Sequence, residues 1–199
     1  MYFWMNQDFL LQFYSYLGAL CFLVNKIYLS QAERARDEET ELTNRALAWK
    51  SYLRGLPFIV VLFYETRGWL AASVEAAGAP AVYLGLVRAK RGKKSKLPVS
   101  LFVFALAASV LGLCGSLYLY RGLTEWSQVC ELGLSVGYFV GTFLLAYRDD
   151  KNGYLWYVLM HVAGAAYFYI IPTTNWVMVI FQVVSIGFVV DAYCVRRKR

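Results

Sequence analysis

Several residue types on which soluble enzymes depend are scarce in this chain. Its 199 residues include one histidine, four cysteines and four prolines, and only 17% of them are charged. The cysteines form no CxxC pair, and neither a GxxxxGK[ST] phosphate loop nor an HExxH zinc motif occurs. The sequence therefore predicts no catalytic residue, no metal ligand and no cofactor.

What the chain has in abundance is apolar sequence. Hydrophobic residues make up 59% of it, and the mean hydropathy is +0.45. Crossing about 30 Å of hydrocarbon takes a helix of about 20 mostly apolar residues. Because the charges are clustered, seven candidate stretches can be found, of which the second is short and carries Arg54. We predict an all-α integral membrane protein with seven transmembrane helices, at residues 9–29, 50–65, 68–88, 98–120, 126–147, 153–171 and 174–195.

The basic residues predict the orientation of these spans. Residues 88–96 hold six Lys and Arg residues, which favours placing this loop in the cytoplasm. Alternating the spans from there puts every Lys and Arg inside except Arg67 and Arg121. The N-terminus is then outside and the C-terminus cytoplasmic. The basic residues that give the net charge of +7 lie in short loops beside apolar segments. Their placement indicates that the partner of the chain is a lipid bilayer and not a nucleic acid.

Tryptophan and charge patterns refine this topology. All six tryptophans lie within a few residues of a predicted span end, as expected for indole rings at the headgroup level.

Residues 31–49 are charged and helix-prone. They predict a solvated cytoplasmic connector, and a docking surface for another protein is the alternative.

A faint internal repeat divides the chain. Trp69-x5-Glu75 begins the third predicted span and Trp176-x5-Gln182 begins the seventh. Each follows a polar turn and runs to a basic end, which predicts two parallel three-helix units. The first unit is residues 1–97, with the charged segment 31–49. The linking helix is 98–122, and the second unit, with a basic tail, is 123–199.

This 3+1+3 pattern resembles the SWEET-like fold. Asn152-Gly-Tyr-Leu-Trp156 is similar to the motif that opens the corresponding span in nicotinamide riboside transporters of the PnuC type, and Tyr83-Leu-Gly85 is similar to their Y-G element. The resemblance implies a transporter for a small vitamin-like or nucleoside-like molecule in the bacterial inner membrane. It also implies alternating access by facilitated diffusion.

Polar side chains inside the spans are the candidate binding residues. An ionisable group at mid-bilayer costs at least about 2.5–3.5 kcal/mol, so it needs a partner or a wet cavity. Glu75, Glu131 and Gln182 share a depth of about 8–11 Å below the outer edge, at about 1.5 Å per residue. A polar stripe at helical spacing on the fifth span is predicted to face the interior; it consists of Ser127, Glu131, Ser135, Tyr138 and Thr142. The predicted substrate-binding residues are Glu75, Glu131, Gln182, Trp156, Tyr138 and His161.

Four of these assignments have a structural alternative. Glu131 also fits a helix–helix hydrogen bond, and the small residues around Glu75 suit plain tight packing. Trp156 also fits an interfacial anchor, and His161 a hydrogen-bonded core residue. Asp191, one turn from Arg196, predicts an anchoring ion pair. For the whole chain, the alternative is a non-transporting sensor, anchor or assembly subunit. A polar cavity between the two units favours transport, and a core sealed by apolar packing favours the alternative. Assembly into a homo-oligomer stays open.

Overall fold

The computed structural model describes residues 7–92, 99–120, 125–148, 150–172 and 174–198. These residues form seven α-helices and contain no strand. A π-helical turn, Leu144–Arg148, continues the fifth helix. The helices are α1 (Gln7–Arg34), α2 (Glu38–Glu65), α3 (Trp69–Arg91), α4 (Val99–Tyr120), α5 (Trp126–Phe143), α6 (Asn152–Ile170) and α7 (Trp176–Lys198).

The all-helical prediction is confirmed for the described residues, and each helix overlaps one predicted span. Five helices are long and apolar enough to cross a membrane: α1 from Phe9, α2, α3, α5 with its π-helical turn, and α7. Helix α6 is shorter, at 19 residues, and carries His161 and several tyrosines.

Residues 31–49 form no separate connector. They are the end of α1, a short turn and the beginning of α2. Asp37 caps α2, because the backbone N–H of Thr40 donates to its Oδ1 at 2.7 Å, and this bond holds the pKa of the carboxyl below its usual value. Glu33, Glu41 and Arg45 are buried. The prediction of a solvated connector is wrong for these three residues, because the chain folds back and Arg45 pairs with both carboxylates.

Six helices form a closed ring. Each packs against the next in the order α1, α2, α3, α5, α6, α7 and back to α1. Helix α4 lies outside the ring against α3, where Gly112 contacts Ser73 and Ala77. Helices α1–α3 and α5–α7 therefore meet along two seams, one between α3 and α5 and one between α1 and α7.

The ring has two ends that differ in chemistry. We call the end at Arg34, Arg148 and Arg196 the basic end. At the opposite end lie the turn after α2 and the segment between α6 and α7. There the Tyr167 hydroxyl donates to the carbonyl oxygen of Thr66 at 3.2 Å, which ties α6 to the end of α2.

Glycines allow α5 and α6 to approach closely. A Cβ atom on Gly137 would lie 2.6 Å from both the Trp156 carbonyl oxygen and the Met160 nitrogen. Gly133 and Gly141 lie one turn away on either side, so a stripe of glycines faces α6. Small residues at this spacing let helix backbones pack in direct contact.

One tryptophan departs from the predicted interfacial belt. Trp49 lies inside α2 and is 1% exposed, with its indole against Gly85 of α3. The prediction is wrong here because α2 begins well before the apolar run that marked its expected start. Trp4 lies outside the described residues. The other four tryptophans lie at or near helix starts; of these Trp69, Trp126 and Trp176 are exposed and Trp156 is half-buried.

Candidate functional site

A buried lysine lies at the centre of the ring. Lys26 of α1 is 1% exposed, and its ammonium group has no hydrogen-bond partner in the part of the chain that the structure describes. Its Nζ lies 3.8 Å from the ring centroid of Tyr157 and 5.5 Å from that of Tyr52. The two rings come from α6 and α2, on opposite sides of the ring of helices. Cation–π attraction is the stabilisation that Lys26 receives from them.

Glu75 lies in the same cluster. The Tyr52 hydroxyl donates to Glu75 Oε2 at 2.8 Å. The Tyr52 ring stacks on Tyr138 of α5, with centroids 5.6 Å apart and 8° between the planes. Gly78, one turn after Glu75, leaves the space that the Tyr138 ring occupies. A carboxylate, an ammonium group and two stacked rings thus meet among four helices.

His161 and Gln182 form the next contact along the interior. Nδ1 of His161 hydrogen-bonds to Oε1 of Gln182. Because an amide oxygen only accepts, Nδ1 carries the proton. The other ring nitrogen, Nε2, is buried and has no partner among the residues described. His161 also meets the Tyr157 ring edge-on, with centroids 6.5 Å apart, which connects this pair to Lys26.

Several buried polar atoms in this region have no hydrogen-bond partner among the described residues. They include Asn25 Oδ1, Lys26 Nζ, Ser135 Oγ and His161 Nε2, on α1, α5 and α6. Each such atom costs about 1–3 kcal/mol in a core, so native proteins keep few of them. A concentration of them at mid-helix indicates a place that can bind polar groups.

Four of the five residues of the polar stripe of α5 face the interior, as predicted: Glu131, Ser135, Tyr138 and Thr142 are buried. Ser127 is half-buried, and its hydroxyl donates to Glu125 at the start of the helix. Thr142 Oγ1 lies 3.0 Å from the hydroxyl of Tyr157, the tyrosine whose ring Lys26 contacts.

Glu131 makes a different contact from the others. Its Oε2 accepts from the backbone N–H of Ala71 at 3.2 Å, in the first turn of α3. The first N–H groups of a helix have no partner within the helix, and a carboxylate there is also stabilised by the helix dipole. Glu131 therefore caps α3. Glu75, Glu131 and Gln182 are all buried, but each contacts a different partner.

Trp156 is half-buried, and the next residue supplies the aromatic ring at the centre. The Trp156 backbone packs against Gly137, while Tyr157 is fully buried beside Lys26. The site therefore contains Tyr157 at the position of α6 where sequence reasoning favoured Trp156.

A second cluster, of charged residues, joins the two sides of the ring at the basic end. Glu33 of α1 is 0% exposed. It pairs with Arg45 at 2.6 Å and Arg196 at 3.1 Å, and it accepts from the Tyr154 hydroxyl at 2.7 Å. Four helices therefore meet at one carboxylate. Glu41 extends the cluster by pairing with Arg45 at 3.1 Å.

Asp191 forms its ion pair with α1. It pairs with Arg34, and the Ser30 hydroxyl also donates to it. An ion pair at this position was predicted, but Arg196 is not the partner, because it is directed towards Glu33.

Sequence reasoning missed Lys26, Tyr52 and Tyr157. The position of Lys26 in the sequence could have identified it, because it falls inside the first predicted span, where an ammonium group needs a partner. The tyrosines carried no such signal, since nothing in their spacing separates an inward ring from an interfacial one.

Ser135 lies in Gly133-Leu-Ser-Val-Gly137, which matches the Gly-x-Ser-x-Gly pattern of serine hydrolases. That pattern needs a strand-to-helix turn to present the serine. Here the five residues are internal to α5, and the two glycines pack towards α6. The match reflects helix packing.

Among the described residues, no group of three or more His, Cys, Asp or Glu side chains is placed to hold a metal ion. Comparisons with protein-family models, with curated proteins and with solved structures found no match to this chain.

Proposed function

We propose that the chain is a transporter for a small polar solute of the vitamin or nucleoside type, which passes through the ring of six helices. The observation that carries this proposal is the set of buried, unpartnered polar atoms beside the Lys26–Tyr52–Glu75 cluster. Unpaired polar atoms in a membrane core are costly, and a solute with hydrogen-bonding groups would satisfy them in turn.

The proposal includes seven spans with an outside N-terminus and two equivalent three-helix units. Helices α3 and α7 support the equivalence, since each begins with Trp, has 23 residues and buries a polar side chain at its seventh position. Those side chains are Glu75 and Gln182. Alternating access would open the seams between the units, at α3 with α5 and at α1 with α7.

A non-transporting membrane component is the second candidate. The observation that favours it is the closed centre: Tyr52, Tyr138 and Tyr157 are each at most 1% exposed. In a transporter the closed centre would belong to one conformation, the occluded one. In an anchor or assembly subunit the centre would always be closed.

Uptake into proteoliposomes tests the proposal. The purified protein is reconstituted and offered a panel of labelled nucleosides and B-vitamins. Nicotinamide riboside belongs in the panel because of the resemblance at Asn152–Trp156. We expect saturable uptake of at least one member, absent from vesicles that lack the protein.

A matched pair of serine variants connects uptake to the site. Ser135→Ala removes a hydroxyl that has no partner within the described ranges, so it should keep thermal stability while it lowers uptake several-fold. Ser51→Ala removes the hydroxyl that donates to the Cys21 carbonyl oxygen at 2.8 Å, so it should lower stability slightly and keep uptake. If the folded protein takes up no member of the panel, the non-transporting function is favoured.

A further inference from the structure

The proposed site contains one carboxyl group, that of Glu75, and one amino group, that of Lys26, while the imidazole of His161 lies beside Tyr157. Glu75 lies on α3; the ionisable groups that face it are Lys26 of α1, Tyr52 of α2, Tyr138 of α5 and Tyr157 of α6. Helix α4, which also packs on α3, contains no charged residue. The titratable residues around Glu75 are therefore a single lysine and three tyrosines.

The net charge of this acid–base pair does not depend on where its proton lies. With Lys26 protonated and Glu75 ionised, the two charges cancel. If the proton moves from Lys26 to Glu75, both groups are neutral and the sum is still zero. A solute that carries a net charge would therefore be the only uncompensated charge in the centre, and burying an unpaired charge is strongly unfavourable.

The hydrogen-bonding capacity of the pair is complementary to a solute with both kinds of group. The Lys26 ammonium has three donors and no acceptor among the described residues. Glu75 offers acceptor capacity beyond the bond from Tyr52. The Tyr52 ring is stacked between Tyr138 and Phe22, whose centroid is 4.1 Å from its own, so a flat solute beside Lys26 and Glu75 would take the place of one of these ring contacts.

From this arrangement we infer that the central site selects flat-ring solutes of zero net charge, neutral or zwitterionic, whose acceptor binds Lys26 and whose donor or positive group lies towards Glu75. The inference rests on the proposed function for its site and adds the chemical class of the solute. It predicts discrimination against both anions and cations of the same shape. Nicotinamide riboside, whose pyridinium ring carries a positive charge, should therefore be a poor solute for this site, although the resemblance at Asn152–Trp156 implies it.

Four pyridine compounds that differ mainly in charge provide the test. Nicotinamide is neutral, trigonelline is a zwitterion, nicotinate is an anion and 1-methylnicotinamide is a cation. Binding of each to the purified full-length protein is measured by calorimetry and by the ligand-dependent rise in Tm. We expect nicotinamide and trigonelline to bind at least about tenfold more tightly than either ion, since leaving a buried charge unpaired is strongly destabilising.

Single substitutions should switch this preference in opposite directions. Lys26→Met leaves Glu75 without its counter-charge, so 1-methylnicotinamide should become the preferred probe. Glu75→Gln leaves Lys26 unopposed, so nicotinate should become preferred. The double variant is neutral again and should restore the original order, which also shows that the changes do not reflect misfolding. Exposed residues of the same types, in Lys50→Met and Glu39→Gln, are the controls and should leave the order unchanged.

The inference is overturned if the unmodified protein prefers either ion, or if the order of the probes is the same in all variants. It is also overturned if none of the four probes binds any of these proteins. The transport proposal is judged separately, by uptake of the nucleoside and vitamin panel and by Ser135→Ala.

Discussion

At the scale of single residues, Glu131 shows how a buried carboxylate can be structural inside a candidate pathway. Its contact with the first turn of α3 predicts the behaviour of two substitutions. Glu131→Ala leaves the Ala71 N–H buried without an acceptor, which should lower the free energy of unfolding by about 1–3 kcal/mol. Glu131→Gln keeps an acceptor oxygen and should cost less. Thermal unfolding in detergent measures both.

The matched control for these variants is Glu39→Ala, at an exposed position of α2, which should leave stability nearly unchanged. The structural role of Glu131 would be contradicted by a Glu131→Ala protein that keeps its Tm and loses solute binding. That outcome would return Glu131 to the binding residues predicted from the sequence.

The contacts between the buried side chains of the site were predicted least well from the sequence. Glu75, Gln182, Tyr138 and His161 were singled out because polar groups in apolar spans need partners, and all four are buried. Their partners depend on how helices rotate against one another, which periodicity within one helix does not determine. For the same reason the polar character of Lys26 was visible in the sequence, but its place between two tyrosine rings was not.

At the scale of helices, the seam between α5 and α6 depends on glycine. Gly137→Ala places a methyl group against the backbone of α6, where no flexible side chain can move aside. Overpacking of this kind should lower the free energy of unfolding by about 1–3 kcal/mol. The measurement is the shift in thermal or denaturant-induced unfolding.

Gly187→Ala is the matched control on α7, because a Cβ there meets nothing within 4 Å. That variant should be neutral or gain up to about 1 kcal/mol from helix propensity. Equal effects of the two substitutions would contradict the tight α5–α6 seam.

Helix positions could be predicted well from the sequence because apolar length and basic ends are properties of each segment alone. The starts of α3, α5 and α7 lie within two residues of their predicted positions. The start of α2 could not be found in this way, because its first turns are charged. Glu41 and Arg45 in these turns pair with each other within α2, and they also pair with Arg196 and Glu33 of other helices.

At the scale of the whole molecule, the proposed orientation predicts which surfaces are reachable from outside the cell. Single cysteines are introduced at Thr174 and at Lys198 in a variant whose four native cysteines are replaced by serine. A membrane-impermeant maleimide should label the Thr174→Cys variant on intact cells. The Lys198→Cys variant should react only after permeabilisation, because basic segments are retained in the cytoplasm. Labelling of the latter on intact cells would reverse the topology.

The ion pairs of Glu33 also have a consequence for biosynthesis. Arg45 follows Glu33 by 12 residues, but Tyr154 and Arg196 follow it by 121 and 163. Helix α1 is therefore synthesised long before Tyr154 and Arg196, which bind Glu33, and the ring closes only once α7 has been made. Before that stage Glu33 has its partner Arg45 on α2 but not Arg196. A nascent chain arrested before α6 would present an incompletely paired carboxylate, a feature by which membrane quality control could distinguish it from the finished protein.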